Sequence, residues 1–142
     1  MPNADTNSRI INKFIKHFCI ERKNAFYYKS LGQLNYLSCL KYCDGVLGNS
    51  SSGLIEVPSF NKGTINIGDR QNGRLRAKSV IDCGTNKDEI IKAINIFYSN
   101  DFQENLKDIE NPYGNGGASA LIVNKLESLE FKNVLKKKFY DL

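Results

Sequence analysis

Cys43-Asp44-Gly45-Val46-Leu47-Gly48-Asn49-Ser50-Ser51-Ser52-Gly53-Leu54-Ile55-Glu56-Val57-Pro58-Ser59-Phe60 is the stretch on which the fold of this 142-residue chain turns. Gly45–Gly48 reads as a short buried strand, residues 49–53 as a small-residue turn, and residues 54–60 as a short helix. A second strand is expected at 64–67, running into Gly68-Asp69-Arg70. Two strands joined through a helix call for a parallel sheet with right-handed connections.

A strand, a turn of small residues and a helix start can hold a phosphate. Small side chains let an anion reach the backbone, and the first N–H groups of a helix lack internal partners. Ser50 and Ser51 are therefore candidates for phosphate holding, with an ordinary serine helix cap as the equal alternative. Glu56 lies within about one turn of the helix start. A carboxylate there suits the hydroxyls of a ribose, or simply complements the helix dipole. Arg70 follows the next strand and so belongs at the same edge of a parallel sheet, where α/β proteins bind ligands. A guanidinium fork fits a pair of phosphate oxygens. Arg74 and Arg76 either share that edge or form a solvated basic loop.

These motifs resemble the hydrolysing UDP-N-acetylglucosamine 2-epimerase family. The resemblance is carried by residues 48–60, by Asn66-Ile67-Gly68-Asp69-Arg70-Gln71-Asn72-Gly73-Arg74, by Pro2-Asn3-Ala4-Asp5-Thr6 and by Asn111-Pro112-Tyr113-Gly114-Asn115-Gly116-Gly117-Ala118. It implies a Rossmann-like parallel sheet with helices on both faces, the C-terminal half of a glycosyltransferase-B-like two-domain fold. On that basis residues 1–142 are part of the C-terminal, UDP-binding domain, and the catalytic N-terminal domain lies outside the chain. Asn3 matches a family position that touches UDP, although an Asx turn beside Pro2 is an equal reading of the residue itself. The segment Lys29-Ser30-Leu31 matches the frame of the uracil ring. The reaction implied is proton removal at C2 of a UDP-sugar, loss of UDP and hydration of the glycal. Its carboxylates come from the other domain, so no catalytic residue is assigned here. The ligand implied is a UDP-sugar, with no cofactor and no metal. The partners implied are an N-terminal catalytic half and further copies in a homo-oligomer.

Along the rest of the chain, Ile10, Ile11, Phe14, Ile15 and Phe18 mark one face of a helix, with His17 outside the stripe. The aromatic run at 25–29 predicts a strand. Residues 31–43 predict a helix with Leu34, Leu37 and Leu40 inward. Val80–Cys83 predicts a fourth strand. Thr85 and Asp88 have the spacing of a capping box, opening a helix through Ile90, Ile91, Ile94 and Phe97. A shorter helix at 102–107, a break at 111–117 and an amphipathic helix from Ala118 complete the reading.

Composition narrows the function classes. Charged residues make up 25% and hydrophobic residues 41%, which is ordinary for a chain that buries a core. No apolar run spans a membrane and no signal-type segment opens the chain, so the expectation is a cytoplasmic protein with no membrane partner. Cys19, Cys39, Cys43 and Cys83 lack metal-type spacing and are expected to be small buried hydrophobes in a reducing compartment. The net charge of +5 falls partly on Lys136, Lys137 and Lys138, and without a recognition motif it does not point to nucleic acid. Two other functions fit the architecture: a sugar-nucleotide glycosyltransferase domain, and a non-catalytic UDP-binding fragment of a split or degraded gene.

Overall fold

The computed structural model describes residues 8–130. Strands β1 (Gly45–Gly48), β2 (Gly63–Ile67) and β3 (Val80–Cys83) form a parallel sheet in the order β1-β2-β3. The register pairs Gly48 with Asn66 and Asn66 with Asp82. The helices are α1 (Ser8–Glu21), α2 (Gly32–Tyr42), α3 (Ser52–Ile55), α4 (Lys87–Phe97), α5 (Asn100–Asn105) and α6 (Ala118–Glu127). Single 3-10 turns at Val57–Phe60 and Leu106–Asp108 follow α3 and α5.

Strand β2 shows how the layers form. Successive side chains of a strand point to opposite faces. Thr64 packs on α3 and its hydroxyl donates to the Gly53 carbonyl at 2.8 Å. Ile65 joins Ala93 and Phe97 of α4 in a buried cluster, flanked by Ile67, Ile81, Cys83, Ile94 and Phe102. Helices therefore cover both faces of the sheet, as expected. Phe97 comes so near the sheet that a Cβ at Gly45 or Gly63 would lie 2.5 Å from its ring. The glycines at the two strand starts make room for that ring.

Several local expectations are corrected. Residues 25–29 are unpaired, so three strands rather than four stand among the described residues. The run alternates in burial as a strand would, but among the described residues no neighbouring strand offers it a ladder, and Tyr27 instead donates to Asn12 of α1 at 3.0 Å. The helix expected at 54–60 splits. Pro58 has no N–H to continue the α-helical ladder, and the chain tightens into bonds from Ser59 N to Glu56 O and from Asn61 N to Pro58 O. The cap of α4 is Asn86, not Thr85. Asn86 Oδ1 accepts from Glu89 N at 2.9 Å, and Glu89 reaches back to accept from Gly84 N at 2.6 Å.

In α2, Leu40 is buried but Leu34 is 80% exposed. The apolar stripes of α1 and α6 are also uncovered among the described residues, with Phe14 and Leu121 each 70% exposed. His17 faces solvent as expected and pairs with Glu21 at 3.2 Å. Cys39 is exposed, against expectation, while Cys19, Cys43 and Cys83 are half-buried thiols.

Candidate functional site

Because β1 and β2 are parallel neighbours, their carboxyl ends lie at one edge of the sheet. The chain leaves β1 through Gly48 into Asn49, Ser50 and Ser51, and leaves β2 through Gly68 into Asp69 and Arg70. Gln71 ties the two exits together. Its side chain is 3% exposed, and Nε2 donates to the Asn49 carbonyl at 2.7 Å. Thus the residue before Ser50 is bonded to the residue after Arg70. Arg70 is exposed.

Ser50 and Ser51 shape the turn locally. Ser50 Oγ accepts from Ser52 N at 3.4 Å, and the Ser50 carbonyl accepts from Gly53 N at 3.1 Å. The Ser51 carbonyl accepts from Leu54 N and Ile55 N at 3.0 Å each. The helix that follows has only four residues, so its dipole is far smaller than a full helix offers. Any anion at this turn would rely on local N–H groups and hydroxyls rather than on a helix dipole. Gly53 lets α3 lie against β2: a Cβ there would meet Thr64 Cγ2 at 2.6 Å.

Glu56 stands at the junction of α3 and the 3-10 turn, half-buried, rather than in the first turn of one longer helix. It lies on the side of Tyr36, whose hydroxyl forms a short hydrogen bond with Ser52 Oγ. Burial pushes the Tyr36 hydroxyl above its ordinary value of 10.0; the Ser52 bond opposes the shift and the Glu56 carboxylate adds to it. Tyr36 sits one turn into α2, the helix that Lys29-Ser30-Leu31 leads into. Sequence reading passed over it because the leucine stripe of α2 was the visible pattern. Its pairing with Ser52 spans sixteen residues, beyond any local signal.

The break at 111–117 braces the same region. Asn111 Nδ2 donates to the Ile55 carbonyl at 2.8 Å and to Ser59 Oγ at 2.7 Å, on either side of Glu56. Tyr113 donates to the Leu75 carbonyl at 3.1 Å, reaching the loop after Arg70. Arg76 is not a solvated basic residue: it forms an ion pair with Asp82 at 2.8 Å. Arg74 is exposed.

Asn3 lies outside the described residues. Ser50, Ser51, Glu56 and Arg70 line none of three clefts found among the described residues: one lies between Tyr42, Leu47, Ile94 and Tyr98, and two flank Asn111. Among the described residues no group of three or more His, Cys, Asp or Glu could hold a metal, and no helix is long and apolar enough to cross a membrane.

Residues 1–127 match the family described as UDP-N-acetylglucosamine 2-epimerase. The chain is 45% identical to the polysialic acid biosynthesis protein P7 of Escherichia coli, over 99% of its own length and 36% of that protein. It is 39% identical, with the same coverage, to the GDP/UDP-N,N'-diacetylbacillosamine 2-epimerase (hydrolyzing) of Campylobacter jejuni. A UDP-N,N'-diacetylbacillosamine 2-epimerase (hydrolyzing) of Legionella pneumophila is 39% identical over 66% of this chain and 24% of that protein. The chain thus spans 36% of the length of the first two relatives.

Proposed function

The chain belongs to the UDP-N-acetylglucosamine 2-epimerase family, and from that premise we propose that it is the nucleotide-holding portion of a hydrolysing UDP-sugar 2-epimerase. The observation that carries the reading is the Gln71–Asn49 hydrogen bond, which brings the Ser50–Ser51 turn and the loop of Arg70 to one sheet edge. In this reading Arg70 forks onto the diphosphate, and Ser50 and Ser51 supply hydroxyl and backbone donors to it. Glu56 accepts from the ribose hydroxyls, and Asn3 adds a further contact to the UDP moiety.

Holding the diphosphate does more than bind. When the base removes the C2 proton, the C1–O bond breaks and its electron pair leaves with UDP. Charge then grows on the β-phosphate oxygen that was bonded to C1. Fixed donors there stabilise the leaving group more as the bond lengthens, which is the condition for a rate effect. Water then adds across the glycal, giving the free 2-epimer. The proton-transfer carboxylates belong to the part of the protein that corresponds to the relatives' remaining length. The substrate class is a UDP-linked 2-acetamido sugar, in line with the family description and the name of the Legionella relative.

Calorimetric titration of UDP tests this directly. Losing a charge-assisted contact worth ~1.5–3 kcal/mol, Arg70→Ala weakens binding about ten- to a hundredfold. Glu56→Gln erodes the preference for UDP over its 2′-deoxy analogue. Unchanged affinity in the first variant removes the phosphate assignment, and unchanged discrimination in the second removes the ribose assignment. Mixing the chain with the missing part of a relative and measuring free sugar tests the reaction itself.

A further inference from the structure

We infer that Arg76 is a positioning residue that fastens the loop carrying Arg70 to the sheet. The inference rests on the nucleotide-holding reading and extends it to a residue that touches no ligand. Arg76 folds back over its own loop: Nη1 donates to the Arg74 carbonyl at 2.8 Å and Nη2 to the Gln71 carbonyl at 3.2 Å. Its Nε faces Asp82 Oδ2 at 2.8 Å. Asp82 is a firm anchor because it sits in β3, and its other oxygen accepts from Asn66 Nδ2 of β2 at 2.6 Å. Asn66 is 1% exposed, so the half-exposed Asp82 carboxylate is held from below by a buried amide of the sheet.

The clasp continues towards the turn. Arg76 holds the carbonyl of Gln71, and the side chain of Gln71 holds the carbonyl of Asn49. One connected path therefore runs from β3 through Arg76 and Gln71 to the residue before Ser50. Within the loop, Asn72 N bonds Asp69 O at 2.8 Å and Gly73 takes φ +78°, so the chain turns back immediately after Arg70. A lysine ammonium also has three donors, but all on one nitrogen, so it cannot span acceptors spread around the edge of a guanidinium plane. Two guanidinium nitrogens donate hydrogen bonds to loop carbonyls, and the third makes an ion-pair contact with Asp82.

Arg76→Lys and Asp82→Asn in the full chain test the inference through two readouts. The first needs no ligand. Amide hydrogen exchange at Asn72 and Arg74, whose N–H groups bond within the loop, accelerates about tenfold or more, while the amides of α4 keep their protection and report an intact core. The second is a double-mutant cycle on UDP affinity. Arg76→Lys weakens binding severalfold when Arg70 is present and has little effect in an Arg70→Ala background, because the lost positioning acts through Arg70. Unchanged loop exchange in a folded variant overturns the fastening. An affinity loss of equal size in both backgrounds overturns the link to Arg70. Failure of the unmutated chain to bind UDP removes the nucleotide reading and the role built on it, while the exchange arm still decides whether Arg76 holds the loop.

Discussion

Gly53→Ala is the sharpest test of how α3 is seated on the sheet. The added methyl would lie 2.6 Å from Thr64 Cγ2 and 3.3 Å from its Oγ1. Thr64 cannot swing away cheaply. It is β-branched, 2% exposed, and its hydroxyl is bonded to the Gly53 carbonyl. Overpacking of this kind costs ~1–3 kcal/mol, against which alanine regains up to ~1 kcal/mol of helix preference. The net expectation is a destabilisation of about 1–2 kcal/mol, or a fall of roughly 3–8 °C in midpoint for a chain of this size. The companion Gly53→Ala/Thr64→Ser removes the opposing methyl and keeps the hydroxyl, so most of the loss returns. Thermal and urea unfolding followed by circular dichroism read both. A single variant that melts at or above the parent, or a double variant that recovers nothing, refutes the contact between α3 and β2 as described.

Asn111→Ala removes two hydrogen bonds that brace the residues on either side of Glu56, and is expected to cost about 1–2 kcal/mol in urea unfolding. No loss would mean that the 111–117 segment does not brace the Glu56 junction. Tyr36 gives a pH prediction. Its hydroxyl is held above the ordinary 10.0, so the folded state keeps a proton that the unfolded state loses first. That contribution is present in full below pH 10 and is lost as pH rises through the folded value, so stability falls over that window. Tyr36→Phe flattens this slope; an unchanged slope would contradict the shift.

What the sequence made legible follows from how local the signals were. β1, β2 and β3 announce themselves as short apolar runs bounded by glycine or polar residues, and α4 by its helical spacing. Their parallel pairing followed from the alternation of strand and helix. The misses came where the outcome depends on a distant partner or on overlapping local signals. Residues 25–29 have strand-like residues but no adjacent strand among the described residues to pair with. Thr85/Asp88 and Asn86/Glu89 offer the same cap spacing one residue apart, and only the structure shows Glu89 reaching Gly84 N. The split at Glu56 was foreseeable from Pro58, whose missing N–H forbids the longer helix. At the site, the exits of Ser50 and Arg70 from adjacent strands were legible, whereas the partners that hold them were not. Gln71–Asn49 and Tyr36–Ser52 join residues far apart in sequence, Arg76–Asp82 links a loop to the strand that follows it, and no periodicity encodes such pairs.

The central claim is that a nucleoside diphosphate sits at the carboxyl edge of β1 and β2. Backbone amide chemical shifts of the chain, recorded as UDP is added, test it most directly. The account predicts saturable shifts concentrated in residues 49–56 and 68–72, with α5 and the outer side of α4 unmoved. Saturable shifts centred on the cleft between Tyr42, Leu47 and Tyr98, or no shifts at millimolar UDP, would contradict it.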